Sequence, residues 1–95
     1  MSMKQISWNE DKAVELERVD LRGNISFQEV VLEIEASRIL DVIINPSPKY
    51  SHQKMYVLNI RGYAYCVPFV ETENLIFLKT LYPSRKYTAL YLEGK

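Results

Sequence analysis

The sequence contains one cysteine, one histidine and three glycines in 95 residues, and these scarcities exclude several kinds of site. A single cysteine cannot form a disulfide within the chain, and one cysteine with one histidine is too few for a closed structural zinc site. No GxGxxG pattern occurs, nor GxxxxGK followed by Ser or Thr, which excludes the usual glycine-rich phosphate loops. A pair of histidines acting as general acid and general base is excluded as well.

Long apolar runs are also missing. No run approaches the roughly 18 apolar residues of a membrane span, and the first twelve residues contain no apolar signal core. The one cysteine, Cys66, lies in the apolar run YAYCVPFV (63–70), which predicts a buried thiol in a reducing compartment. We therefore expect a cytoplasmic protein that does not contact the membrane and needs no cofactor or metal.

The composition is that of an ordinary globular protein, with 47% hydrophobic and 25% charged residues, and predicts one domain over residues 1–95. The net charge is zero, but residues 1–48 hold five basic and nine acidic side chains, whereas residues 49–95 hold seven and three. This asymmetry is consistent with a polarised surface, and equally with helices rich in Glu and hairpins rich in Lys.

Two helices are predicted in the first half of the chain. MKQISW (3–8) alternates like a strand, and Asn9 can cap a helix that runs to about Leu21 and stops near residues 23–24. Ser26 and Glu29 form a capping box that begins a second helix, which should end around residues 36–37. The apolar side chains of the second helix recur at helical spacing: Phe27, Val30, Val31 and Ile34.

Strands are predicted in the second half, at 38–45, 54–60, 63–70 and 75–82, and 87–95 is a short helix or a tail. Arg61 and Gly62 suit a two-residue hairpin turn, and Pro68 marks an edge position or a bulge. We therefore predict an α+β fold, with an antiparallel meander of four to five strands and two N-terminal helices packed on one face.

Basic groups occur near the predicted strand ends, and we expect the end of the last strand to approach the start of another. Such convergence of cations is what a scissile RNA phosphate requires, since negative charge accumulates in its transition state. The candidate groups are His52, Lys54, Arg61, Lys79, Arg85 and Lys86, and the tyrosines that could stack on bases are Tyr50, Tyr56, Tyr82 and Tyr87. The alternative is that these are ordinary solvent-exposed side chains of a small sheet.

Five segments, in order, resemble the BrnT-type toxins of bacterial toxin–antitoxin systems. These segments are ISWNEDKA (6–13), RGNISFQEVV (22–31), INPSPKY (44–50), HQKMYVLNIRGYAYCVPFV (52–70) and PSRKYT (83–88). Arg22 stands where the family has a histidine. The resemblance implies a RelE-like fold and a metal-independent endoribonuclease that cleaves mRNA and arrests translation. It also implies a partner, a ribbon-helix-helix antitoxin, and with it a toxin–antitoxin hetero-oligomer.

The resemblance places Lys54, Arg85 and Lys86 in the active site. We expect Arg85 to stabilise the charge of the transition state, and Lys54, together with His52, to orient the phosphate or move a proton. Lys86 would hold a flanking phosphate, and the further RNA contacts would come from Lys79, Arg61 and Tyr87. The alternative hypothesis is a non-catalytic protein-interaction module or an inactive toxin homologue, in which PSRK is a solvated corner.

Overall fold

A six-stranded mixed sheet organises the chain. The structure is a computed structural model that describes residues 4–17, 25–50 and 53–93. The strands are β1 (Gln5–Trp8), β2 (Ile39–Ile44), β3 (Lys54–Ile60), β4 (Tyr63–Glu71), β5 (Leu75–Leu78) and β6 (Tyr82–Pro83). Five of them follow the order β1-β5-β4-β3-β2, and the short β6 pairs with β4 beside β5. The edge strands of this order are therefore β1 and β2.

Three helices accompany the sheet in the described part of the chain, and none of them is long and apolar enough to cross a membrane. They are α1 (Glu10–Glu17), α2 (Phe27–Glu35) and α3 (Arg85–Thr88). A 3₁₀ turn occupies Pro48–Tyr50, and a π-helical turn, Ala89–Glu93, continues α3. The predicted end of the first helix near residues 21–24 lies outside the described residues.

Helix α2 begins as its capping pattern predicts. The Ser26 Oγ accepts a hydrogen bond from the Glu29 backbone N–H at 3.2 Å, which satisfies one of the free amides of the first turn. The Glu29 carboxylate does not complete the box but accepts from Arg61 at 2.9 Å. Ala36 caps the other end and Ser37 has a φ of 60°, so the helix ends where the sequence predicts.

The main core lies between α2 and one face of the sheet. Tyr56 is opposite Val67 and diagonal to Phe69, so the three side chains share the α2 side of the sheet. The rings of Tyr56 and Phe69 stack there with centroids 4.2 Å apart. The ring of Trp8 stacks on Phe27 at 5.7 Å, which ties β1 to the start of α2. The fully or almost fully buried side chains of this core include Ile25, Phe27, Val30, Leu58, Val67, Phe69, Leu78 and Leu81.

The C-terminal helix covers part of the opposite face. Ser84 caps α3 by accepting from the Tyr87 N–H at 3.1 Å, and the Thr88 Oγ1 accepts from the Ala64 N–H of β4 at 2.9 Å. Cys66 is fully buried on this face, as predicted, and burial raises the pKa of its thiol. A protonated buried thiol is a poor nucleophile, so Cys66 acts as a packing residue.

The predicted antiparallel meander with helices on one face is wrong in two respects. First, β1 pairs with β5 in parallel, with Gln5 opposite Leu75 and Trp8 opposite Leu78, which makes the sheet mixed. Parallel pairing needs a long crossover, and here the helices and three strands between β1 and β5 provide it. Second, residues 85–93 fold as a third helical segment on the other face of the sheet. The RelE-like arrangement predicted from the sequence is therefore not the one observed.

Pro68 lies in the central strand β4, whereas an edge position or a bulge was predicted for it. Its carbonyl accepts from the Lys79 N–H at 2.9 Å, so its backbone polar groups face residues 79–81, where β5 has ended and β6 has not begun. The missing proline N–H therefore falls at a gap in the pairing and interrupts no ladder. The predicted single strand 75–82 is accordingly split into β5 and β6.

Candidate functional site

The predicted site residues fall at two opposite ends of the sheet. Lys54 begins β3 opposite Phe69 on β4, whereas the Ser84 N–H, just before Arg85, donates to Ala64. Phe69 and Ala64 are separated by five positions of β4, roughly 16 Å at about 3.3 Å per residue. The predicted convergence of Arg85 with Lys54 is therefore wrong.

The hairpin end of the sheet carries Arg61, Arg85, Lys86 and Tyr87. Arg61 turns the β3–β4 hairpin with a φ of 57°, followed by Gly62 with a φ of 82°, and its guanidinium binds Glu29 at 2.9 Å. Lys86 and Arg85 are exposed at the start of α3, and the Lys86 Nζ lies 5.4 Å from the centre of the Tyr87 ring. The three best-formed cavities of the described residues include none of these groups.

Lys54 lies at the other end but on the α2 side of the sheet. Its Nζ is 3.9 Å from the Glu71 carboxylate, which also accepts from the Lys4 Nζ at 2.6 Å. The Lys4 hydrogen bond is the main reason that the pKa of Glu71 lies below its ordinary value. Lys54 therefore shares an anionic partner with Lys4 and faces away from the cavity described next.

A cleft of about 420 Å³ opens at this end on the opposite sheet face, and we call it the strand-end cleft. Its volume falls within the range of about 300–1,000 Å³ that small-molecule sites occupy. The residues that line it are Lys12, Asn45, Ser47, Tyr50, Gln53, Pro68, Lys79, Thr80 and Tyr82. Of the cations predicted to bind RNA, Lys79 lines this cleft, and two of the tyrosines considered for base stacking, Tyr50 and Tyr82, line it as well.

Two lysines meet at the cleft because β1 and β5 are parallel. The carboxyl ends of parallel strands lie at the same edge of a sheet, so the segments that follow Trp8 and Leu78 start side by side. Lys12, in the first turn of α1, and Lys79, directly after β5, line both the strand-end cleft and a shallower groove beside it. Two ammonium groups on one concave surface favour an anionic ligand.

Aromatic hydroxyl groups flank the lysines. Tyr50 ends the 3₁₀ turn and is 41% exposed, and the Lys49 Nζ lies 5.4 Å from the centre of its ring. The rest of the exposed ring surface is available for stacking. Tyr82 is half-buried, and burial, with Cys66 close by, raises its pKa to about 12. Its hydroxyl donates to the Met55 Sδ at 3.3 Å, a weak acceptor that a phosphate oxygen could replace. Tyr82 is therefore a neutral donor at physiological pH.

Two buried amides form the floor of the cleft. Asn45 and Gln53 are only 8% and 7% exposed, and the Asn45 N–H donates to the Gln53 carbonyl at 2.9 Å. The Asn45 Oδ1 accepts from the Ser47 N–H at 3.0 Å, which leaves its amide N–H groups as donors. Within the described residues, the Gln53 side-chain amide makes no hydrogen bond. These amide groups retain some contact with solvent, so their hydrogen-bonding capacity is available to a ligand in the cleft.

His52, the predicted proton-transfer residue, lies outside the described residues, although it directly precedes Gln53 in the sequence. Lys12, Asn45 and Gln53 were not predicted as site residues. No local pattern marks Lys12, since its position depends on the pairing of β1 with β5. Asn45 and Gln53 lie at the two ends of the 46–52 connection. Because β2 and β3 pair in an antiparallel hairpin, a predicted pairing of these strands would have indicated that the two residues are adjacent.

No protein-family model, curated protein or solved structure matches this chain. The geometry of the strand-end cleft and the sequence resemblance to BrnT-type toxins are therefore the two observations that bear on function.

Proposed function

We propose that this protein is an endoribonuclease toxin of a toxin–antitoxin pair and that it binds RNA in the strand-end cleft. The observation that carries the RNA-binding site is the placement of Lys12 and Lys79 beside the exposed ring of Tyr50. Cations that hold phosphates and an aromatic ring that stacks on a base are the usual means of binding single-stranded RNA. The toxin activity itself is supported by the sequence resemblance.

In the proposed reaction, the 2′-hydroxyl oxygen attacks the adjacent phosphorus and the bond to O5′ breaks. The products carry a 2′,3′-cyclic phosphate and a 5′-hydroxyl. We assign the removal of the 2′-hydroxyl proton to His52, and the protonation of O5′ to a cleft ammonium group, with Lys79 the first candidate. Lys12 and the Tyr82 hydroxyl would stabilise the negative charge on the phosphate oxygens. Arg85 and Lys86 receive no role in the cleft, because they lie at the hairpin end.

A salt titration of RNA binding tests the site with matched lysine and arginine variants. Lys79→Ala should weaken binding of a short single-stranded RNA and reduce the slope of log K against log salt by about 0.7, because one phosphate contact is lost. Arg85→Ala, at the other end of the sheet, is the control and should leave the slope unchanged. The opposite pattern would be a reduced slope for Arg85→Ala and an unchanged slope for Lys79→Ala, and it would place the RNA-binding site at the hairpin end.

Cleavage is tested on the same proteins with EDTA present. The wild type should release a fragment with a cyclic phosphate, and Lys79→Ala should cleave at least tenfold more slowly under subsaturating RNA, roughly the effect of losing 1.4 kcal/mol of binding. An intact RNA after prolonged incubation with folded wild-type protein would exclude the endoribonuclease.

The same proposal includes a cytoplasmic location and a ribbon-helix-helix antitoxin as partner. Leu32 on α2 and Ile44 on β2 are 62% and 67% exposed, which leaves apolar surface for such a partner. Co-expression with the product of an adjacent reading frame should then give a stable hetero-oligomer that no longer cleaves RNA. The same exposed apolar surface favours, as a second candidate function, a non-catalytic interaction module. An interaction module would still form the hetero-oligomer, but the free protein would not cleave RNA.

A further inference from the structure

We propose that the strand-end cleft accepts one unstacked adenine base, which stacks on Tyr50 and hydrogen-bonds to the amides of Asn45 and Gln53. This inference rests on the proposed RNA binding and adds a base preference to it. The shared ligand chemistry is an adenine nucleotide, either within an RNA chain or free.

The adenine preference follows from the side-chain amides of Asn45 and Gln53 on the cleft floor. Gln53 is 7% exposed and lines the cleft, and it offers both an acceptor oxygen and a donor N–H₂. Its amide makes no hydrogen bond within the described residues and keeps some contact with solvent. Asn45 adds only donors, because its oxygen already holds the Ser47 N–H. The floor therefore presents one acceptor and two sets of donors.

Adenine matches this set. Its N6 amino group is a donor, and its ring nitrogens N1 and N7 are acceptors, so the Gln53 oxygen and the two amide N–H₂ groups can all be paired. Guanine pairs less completely with this set. Its Watson–Crick edge brings N2–H₂ against the Asn45 donors, and its O6–N7 edge has only acceptors, which leaves the Gln53 oxygen without a donor. Cytosine offers the N4–H₂ donor with the N3 and O2 acceptors, but its single ring covers less of Tyr50 than a purine does. A bidentate amide–adenine pair discriminates against the wrong base by about 1–3 kcal/mol in nucleic-acid complexes.

The walls of the cleft match the rest of a nucleotide. The Tyr50 ring is exposed at the rim, where it can lie against a base, and Lys12 and Lys79 stand where a 5′- or 3′-phosphate would be. Lys49 lies over the same ring, with its Nζ 5.4 Å from the ring centre, and it can follow the backbone of a longer strand. The cleft therefore combines base, ring and phosphate contacts on one surface.

The test compares the affinities of short oligo-A, oligo-G, oligo-U and AMP for four proteins. The wild type should bind oligo-A about 5- to 150-fold more tightly than oligo-G, the range that corresponds to one bidentate pair. Gln53→Leu should bring this ratio close to one while oligo-A still binds through the lysines. Tyr50→Ala should weaken every oligonucleotide by a similar 5- to 150-fold. Gln28→Leu, on the exposed surface of α2, is the matched control and should keep the wild-type ratio.

Three outcomes overturn the inference in distinguishable ways. A wild-type ratio near one, or an unchanged ratio in Gln53→Leu, removes the base pocket while leaving RNA binding by the lysines intact. AMP bound as tightly as oligo-A would support the adenine pocket but overturn its assignment to RNA, because the site would then serve a free nucleotide. Failure of every oligonucleotide to bind the folded wild type would remove both the base pocket and the proposed RNA function. Tyr50→Ala, at a partly exposed position, provides a readout if Gln53→Leu does not fold.

Discussion

Glu71, at the end of β4, contacts two lysines. Its carboxylate accepts from Lys4 at 2.6 Å and lies 3.9 Å from Lys54, and Lys4 also donates to the Thr72 carbonyl at 2.8 Å. These contacts connect the chain before β1 to the end of β4. The adjacent pairing of β1 with β5 brings Lys12 and Lys79 to the same cleft.

Replacing Glu71 by Gln should reduce stability only where the carboxylate is ionised. The pKa of Glu71 is lowered in the folded state, so its contribution is present above the unfolded carboxyl value near 4.5 and is lost as pH falls through the folded value. Because the group is partly exposed, we expect a loss of about 0.2–1 kcal/mol at pH 7 and a smaller loss at pH 3.

Urea unfolding of the wild type and Glu71→Gln at both pH values measures this difference. Glu73→Gln is the control, since Glu73 makes no ion pair within the described residues. A destabilisation of Glu71→Gln that is as large at pH 3 as at pH 7 would show that the pairing with Lys4 is not its cause.

Strand β2 is the element most exposed to unwanted pairing, since it forms one edge of the sheet and carries Val42 and Ile44 on its surface. The Asn45 N–H points towards β3, so by the alternation of an antiparallel ladder the Val42 and Ile44 N–H groups point outwards. Asp41 covers one of them, because its Oδ1 accepts from the Val42 N–H at 2.8 Å. A carboxylate on an edge amide blocks the approach of another strand.

The same aspartate anchors the C-terminal segment. Its Oδ2 accepts from the Tyr91 hydroxyl at 2.5 Å, and this hydrogen bond is the main reason that the pKa of Tyr91 is raised. Asp41 therefore links the edge strand to the helical segment that covers the second sheet face.

Asp41→Ala should make the protein self-associate through β2, because the Val42 amide and the two apolar side chains become available together. Sedimentation velocity over a concentration series should show dimers or larger species at concentrations where the wild type remains monomeric. Tyr91→Phe keeps the carboxylate on the edge while removing its hydroxyl partner, so it should sediment like the wild type. Equal association of Asp41→Ala and the wild type would mean that the carboxylate does not guard the edge.

Sequence patterns predicted the ends of a helix or strand correctly where the residues at those ends form the cap or the turn themselves. The capping serine of α2 and the hairpin at Arg61 and Gly62 are local, and both are confirmed. The break in 75–82 was missed, because it depends on Pro68 of the neighbouring strand rather than on the apolar pattern of the segment itself. Local pattern therefore predicts an element but not the effect of the strand that pairs with it.

At the scale of the whole molecule, the sheet order decides which residues meet. Parallel pairing of β1 with β5 joins residues about 70 positions apart, and no local pattern specifies it. The sequence predicted a convergence of cations from strand ends, with Arg85 beside Lys54, whereas the cleft combines Lys79 with Lys12. The types of residue could be predicted from the sequence, and their grouping required the topology.

We propose that RNA binds at the strand-end cleft and not at the hairpin end. Backbone amide chemical shifts of isotope-labelled protein, followed by NMR during titration with a short single-stranded RNA, test it most directly. We predict that the largest shifts occur at Lys12, Asn45, Gln53 and Lys79, while Arg61, Arg85 and Lys86 change little. Shifts centred on Arg61 and Arg85, with the cleft amides unmoved, would contradict it.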